Sequence, residues 1–204
     1  MLISALHAVS PEHINVCFED GSEIRSTLGV TTEMKLYSGK DLDDDALNTL
    51  RMKSAAAFAV EKGINLLSYR QMSGKELHTK LIQKGVDPEA AEAAVEKLYD
   101  LRILDDELYA SSIVRHYTAK GYGAGRVRAE LSRRGVSRDY WEDALASAPE
   151  TDDKLDQFIR ARLRDPEDRD QVRKVSAALF RRGYSWDEIR AGIRRFSSDA
   201  EDNL

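Results

Sequence analysis

The stretch KGYGAGRVRAELSRRGV, residues 120–136, combines closely spaced glycines with arginines, a combination that can bind phosphate. Phosphate-cradling loops of the dinucleotide and P-loop types follow a strand and open a helix. Here a helical pattern comes first, and the stretch lacks the Lys-Ser or Lys-Thr pair of a P-loop. The sequence therefore favours a turn between two helices over a nucleotide site. Such a turn could also present side chains to a partner, namely Lys120, Tyr122 and Arg126.

Residue types that could carry catalysis are present but poorly arranged. Ser112 and His116 are four residues apart and could pair as nucleophile and base, yet their surroundings read as an ordinary amphipathic helix. The acid pairs at 105–106 and 152–153 could ligate a metal, but both fall at predicted helix starts, where capping explains them. The four histidines lack metal-ligand spacing, and a single cysteine, Cys17, excludes an internal disulfide. We expect a protein without catalytic residues, metal or cofactor.

Arginine is the residue type here that is best suited to recognition. It dominates over lysine in two clusters, and its planar head favours bidentate contact with carboxylate or phosphate. Helix capping and solubility explain part of this enrichment, and a partner-facing ridge explains the rest. Trp141 accompanies the first cluster but falls at a repeat position typical of core. The predicted partner-binding residues are Lys120, Tyr122, Arg126, Arg128, Arg133, Arg134, Arg181, Arg182, Arg194 and Arg195.

Charge is unevenly distributed along the 204 residues. The net charge is −5, but segment 110–196 is net basic and the remainder is net acidic. This asymmetry indicates an anionic partner for the basic half. The start of the sequence lacks the pattern of a signal peptide, and no apolar run approaches the ~18 residues of a membrane span. We expect a cytoplasmic protein and, without an evident coiled-coil seam, a monomer.

Residues 1–41 show the alternation of β-strands. The run HINVCF places Ile14, Val16 and Phe18 on one face, and EIRSTL resumes the alternation as far as Leu28. Between these runs lies Asp20-Gly21, a strong hairpin signal because both residues tolerate positive φ. The preceding LISALHAV could add a third strand. This small β segment is too small to be stable alone.

From about Asp43 the pattern becomes helical and repeats three times. Gly85, Gly135 and Gly183 are spaced by 50 and 48 residues, each with a leucine four residues earlier. Glycine just past a helix end supplies a left-handed residue, and a third helical stretch precedes each pair. The chain is therefore predicted to be mostly α, with three tandem three-helix repeats packed in series into an elongated, curved body. Their predicted bounds are 42–104, 105–149 and 150–204, the last with an acidic tail.

The motifs of the first two repeats carry a family resemblance. They are Glu76-Leu77, Lys80-Leu81 and Lys84-Gly85, then Leu104-Asp105-Asp106 with Tyr109-Ala110, then Gly121-Tyr122-Gly123 with Arg126–Leu131 and Gly135. In order, spacing and repeat number they resemble the RecX regulatory proteins of bacteria. The resemblance covers about 54–196. It is weaker in the third repeat, where RDPEDRD replaces the glycine turn.

The resemblance implies a tandem three-helix fold and a non-enzymatic role in DNA repair, recombination and the SOS response. RecX proteins bind the RecA recombinase filament on DNA and restrain its activities, including ATP hydrolysis, strand exchange and co-protease function. The arginine edge would then meet acidic protein surface or DNA phosphates. Charge reversal at Arg133 and Arg134 is expected to weaken binding and leave the helices intact. The alternatives are a helical protein that binds DNA through its arginine-rich edge, and a helical adaptor for another partner.

Overall fold

The structure, a computed structural model, describes residues 1–148 and 152–201. Within these ranges the chain is mostly helical and begins with a three-stranded antiparallel sheet, which confirms the predicted fold class. It divides into two compact units, Met1–Asp105 and Asp106–Leu204. The predicted boundary between the second and third repeats, and residues 202–204 of the predicted acidic tail, lie outside the described residues.

The β segment forms the predicted hairpin and the third strand. The strands are β1 (Ile3–Ala8), β2 (His13–Phe18) and β3 (Glu23–Thr27), paired in the order β1-β2-β3. Gly21 has a φ of +83°, and its N–H donates to the Phe18 carbonyl at 3.0 Å. Val16 and Phe18 are buried on the inner face, as the alternation predicted.

The predicted continuation of the strand pattern to Leu28 is wrong. Leu28 instead begins α1 (Leu28–Glu33), and it is 49% exposed. The reason is the preceding Thr27, whose hydroxyl accepts the Val30 N–H at 3.3 Å and caps a helix. Val30 and Leu36 then join the sheet in one core with the start of the next helix. The small sheet therefore shares its core with a helix, which explains how it is stabilised.

The first repeat is built around one long helix. Its helices are α2 (Asp44–Tyr69), α3 (Gly74–Gln83) and α4 (Pro88–Asp100). The helical pattern begins where the sequence predicted, because the Asp43 carboxylate accepts the Ala46 N–H at 2.7 Å and caps α2. The first half of α2 packs on the β segment, and the second half packs on α3 and α4. Leu77, Leu81 and Leu98 are buried in that second core.

The second unit contains the other two repeats. Its elements are α5 (Asp106–Ala119), α6 (Ala124–Arg133), a 3-10 turn (Arg138–Tyr140), α7 (Trp141–Ala146), α8 (Asp152–Arg160), α9 (Arg169–Arg181) and α10 (Trp186–Glu201). Each repeat has its own hydrophobic core, centred on Leu131 in the second and Leu179 in the third. Both leucines are buried at the predicted repeat position.

The three repeat glycines adopt the conformation that the sequence predicted. Their φ angles are +80° at Gly85, +71° at Gly135 and +92° at Gly183. Each directly follows the C-cap residue of a helix, at a backbone conformation in which a side chain would be strained. The same backbone requirement therefore recurs in all three repeats.

Candidate partner-binding surface

The glycine-rich stretch is a turn between α5 and α6, as predicted. Its backbone is hydrogen-bonded to the backbone of the third repeat. The Gly123 N–H donates to the Arg182 carbonyl at 3.0 Å, and the Gly125 N–H donates to the Gly183 carbonyl at 2.9 Å. The N–H groups that could have bound a phosphate are thus already engaged by carbonyl oxygens. We call this contact between the two turns the Gly123–Gly183 joint.

Glycine is required on both sides of the joint because the two backbones touch. A Cβ at Gly123 would lie 2.5 Å from the Gly183 carbonyl carbon. A Cβ at Gly183 would overlap the backbone nitrogen of Arg126, and the positive φ there already disfavours a side chain. The joint therefore fixes how the second and third repeats pack inside the second unit.

Two of the predicted partner-binding residues, Arg182 and Tyr122, support this joint. The Arg182 Nη1 donates to the Gly121 carbonyl at 3.2 Å. Its guanidinium carbon lies 5.5 Å from the centre of the Tyr122 ring and 4.7 Å from that of Phe158. Both predicted residues are half-buried. Their first role is to hold the two repeats together.

Arg133 and Arg134 converge on a buried carboxylate, Glu130, which is 4% exposed. Arg133 donates to it through Nε at 3.0 Å and Nη2 at 2.5 Å, and Arg134 donates through Nε at 2.6 Å. Arg134 also donates to the Tyr109 hydroxyl at 2.7 Å. These bonds, those from Arg133 first, outweigh burial and lower the pKa of Glu130 to about 2.

Glu130, Arg133, Arg134 and Tyr109 form what we call the Glu130 cluster. Because of this cluster, a charge reversal at the two arginines would affect stability as well as binding. Replacing Arg133 and Arg134 by glutamate would place two further carboxylates against a buried one. A buried charge that loses its partner is strongly destabilising. The expectation that this double variant keeps its helices intact therefore conflicts with the geometry, and other arginines must be used to test binding.

Two more predicted contacts are paired with acids, Arg128 in an exposed ion pair and Arg195 in a half-buried one. Arg128 binds Glu142 through Nε and Nη2, both at 3.2 Å, which links α6 to α7. Arg195 binds Asp156 through Nε at 3.1 Å and Nη2 at 2.8 Å, which links α10 to α8. These arginines would have to exchange a local carboxylate for a partner's. Their net contribution to binding is reduced accordingly.

The remaining four predicted cations are exposed. They are Lys120, Arg126, Arg181 and Arg194. Within the described part of the chain, none of the four makes an ion pair or a side-chain hydrogen bond. Arg126 and Arg181 also line one groove of about 620 Å³, between α6 and the turn that joins α9 to α10. The structure thus separates cations available to a partner from cations already used.

Sequence reasoning missed Phe180, which stacks on Trp186 beside this groove. The ring centres are 5.1 Å apart and the planes are inclined by only 21°. The two side chains are 51% and 52% exposed. Alignment of the repeats could have predicted that Phe180 is exposed. It corresponds to Ile82 and Ser132, and this position lies next to the buried leucine of each repeat rather than in the core. Trp141, by contrast, packs against the second core, as predicted.

The residues considered for catalysis make ordinary contacts within α5. The Ser112 hydroxyl donates to the Tyr109 carbonyl at 2.8 Å, and the exposed His116 ring contacts Tyr117. In residues 1–148 and 152–201 no group of three or more His, Cys, Asp or Glu side chains is arranged to hold a metal. Among the helices described, none has the length and apolar character that a membrane crossing requires.

Family models match both repeats that carried the sequence resemblance. The model of the first three-helix domain of RecX matches residues 59–98, and that of the second matches 105–145. The protein named Regulatory protein RecX from Xanthomonas axonopodis pv. citri (strain 306) is 38% identical over 139 residues, which is 66% of this chain and 85% of that relative. Its counterpart from Xanthomonas campestris pv. campestris (strain B100) is 40% identical over the same shares.

One solved structure extends the likeness to the N-terminal segment. A crystal structure of regulatory protein RecX superimposes with a TM-score of 0.75 and 25% identity, over 93% of this chain and 97% of that one. Coverage of 93% necessarily includes most of the β segment. RecX from Lactobacillus salivarius shares the fold, with a TM-score of 0.61 over 70% of this chain and 97% of that one. This chain belongs to the RecX family of regulatory proteins.

Proposed function

We propose that this protein binds the RecA filament on DNA and restrains the ATPase, recombinase and co-protease activities of RecA. The observation that carries the proposal is family membership, shown across both matched three-helix domains and most of the length of proteins named regulatory. The mode of action is binding alone, in the cytoplasm, without a chemical step. The basic groove of the second unit supports it, because a filament of protein and DNA presents both carboxylates and phosphates.

The ten predicted residues remain the proposed contact set, and the structure suggests an order of importance among them. The exposed cations at Lys120, Arg126, Arg181 and Arg194 are expected to contribute most, because no local carboxylate competes for them. The ion-paired arginines contribute less. Arg182 and Tyr122 contribute by holding the joint in shape.

The test is RecA's ATP hydrolysis on single-stranded DNA, with this protein titrated in well below the RecA concentration. Inhibition at sub-stoichiometric amounts supports the proposal. Arg126→Glu with Arg181→Glu should raise the amount needed for half inhibition by about thirtyfold, since two contacts of ~1 kcal/mol each are lost. Absence of inhibition at equimolar protein would contradict the proposal.

A matched control separates the surface from net charge. Arg51→Glu with Lys75→Glu changes the net charge by the same amount but alters exposed positions in the first unit. This control should inhibit RecA as the unaltered protein does. Equal loss in both double variants would show that overall charge decides, rather than the groove. Tight, salt-sensitive binding to bare DNA without any effect on RecA would instead assign a DNA-binding protein.

A further inference from the structure

The Phe180–Trp186 pair is an exposed aromatic surface that the third repeat does not need for its core. That core is built from neighbouring residues, among them Leu179, Tyr184 and Ile189, all buried. Phe180 lies in the last turn of α9 and Trp186 begins α10, so the intervening turn holds their rings face to face. Large aromatic rings left half exposed are costly in water and often mark binding sites. Stacking orders the two rings and makes them one rigid surface.

Uncompensated positive charge lies directly beside these rings. Phe180, Arg126 and Arg181 line the same groove of about 620 Å³. Glu188 also lines it, but its carboxylate accepts the Ser185 N–H at 2.6 Å as part of a helix cap. The Glu188 carboxylate is thus bonded to the backbone. The guanidinium groups of Arg126 and Arg181 therefore stay available for an anion.

We propose that Phe180, Trp186, Arg126 and Arg181 form a binding site for single-stranded nucleic acid. A base extends the aromatic stack, and the flanking phosphates contact the two guanidiniums. Base–aromatic stacking accepts every base, because every base has a flat π face. In a duplex both faces of each base are covered by neighbours, so only a single strand can use the rings. This inference concerns nucleic acid alone and does not depend on the RecA proposal.

The combination of rings and cations distinguishes this ligand from an acidic polypeptide. Arginines alone would suit carboxylates and phosphates equally. The nearly parallel rings add a recognition element that a run of Asp and Glu side chains cannot use. The predicted signature is therefore a preference for single strands that disappears when the ring at Phe180 is removed and the charges are kept.

The test uses Trp186 as a fluorescent reporter in the full chain. The protein has 2 tryptophans, so Trp141→Phe leaves Trp186 alone. Titration with oligothymidine should quench its emission through base stacking. Phe180→Leu keeps an apolar side chain on the helix but removes the ring, and should weaken binding at least about fivefold. Phe180→Tyr keeps the ring and should bind as the parent does.

Each outcome decides the proposal. Quenching by oligothymidine, weaker binding of a duplex of equal length, and loss only in Phe180→Leu support it. Equal binding by Phe180→Leu and Phe180→Tyr would overturn it, as would equal affinity for single and double strands. Competition by polyglutamate at the same concentration of charge would assign an acidic protein partner instead. Absence of oligothymidine binding by a protein that still inhibits RecA would overturn this inference and leave the RecA proposal standing.

Discussion

Glu130→Gln should lower the free energy of unfolding by about 3 kcal/mol at pH 7. Glu130 is 4% exposed, and its pKa is lowered to about 2 by Arg133 and Arg134, against an ordinary value of ~4.3. Each pKa unit corresponds to about 1.36 kcal/mol, so roughly two units give this magnitude. Because the folded pKa is depressed, the contribution is fully present above about pH 4.3 and is lost as the pH falls towards 2.

The assay is urea unfolding followed by circular dichroism, for both proteins, between pH 7 and pH 2.5. The difference in unfolding free energy should be largest at pH 7 and should shrink steadily below about pH 4. Glu142→Gln is the matched control, since Glu142 also binds an arginine but its side chain is 73% exposed. It should cost no more than about 1 kcal/mol. A difference that does not change with pH would refute the reasoning, because the cost would then come from packing.

Two pairs of variants test the Gly123–Gly183 joint. Gly183→Ala should destabilise the protein more than Gly85→Ala, because both have positive φ but only a Cβ at Gly183 would strike the Arg126 backbone. Comparing their urea midpoints isolates the contact, and equal midpoints would contradict it. Arg182→Ala should lower the melting temperature through the loss of its bond to the Gly121 carbonyl, whereas Arg181→Ala should leave it unchanged and reduce RecA inhibition. The opposite pattern would show that the two roles are assigned wrongly.

Much of the local structure could be predicted because it depends on nearby residues. The hairpin at Gly21, the left-handed glycines after the helices and the cap at Asp43 all follow from short patterns that need no distant partner. The error at Leu28 has the same origin. In the sequence the alternation of β3 continues to Leu28. In the structure the strand ends at Thr27, because its hydroxyl caps the helix that follows. At this position the cap, which satisfies a backbone N–H at the start of the helix, prevailed over the alternation.

The Glu130 cluster could be predicted from the sequence only in part. Its spacing to Arg133 and Arg134, three and four residues, is visible in the sequence and is typical of ion pairs on a helix. Its burial is not visible, because that depends on how α6 packs against α5, which brings Tyr109 to the same place. The sequence pattern therefore predicts the ion pairs of Glu130, but only the packing of the helices makes them buried and important for stability.

By itself, the sequence determined the repeats, their glycines and leucines, the β segment and the net positive charge of segment 110–196. Only the tertiary structure decided which cations are available. The Gly121 carbonyl binds Arg182 from 61 residues away, and Asp156 binds Arg195 from 39 residues away. Arg126 and Arg181 are exposed. The physical reason is that a charge is available only if no acid or carbonyl lies within reach, and reach is set by packing between distant segments.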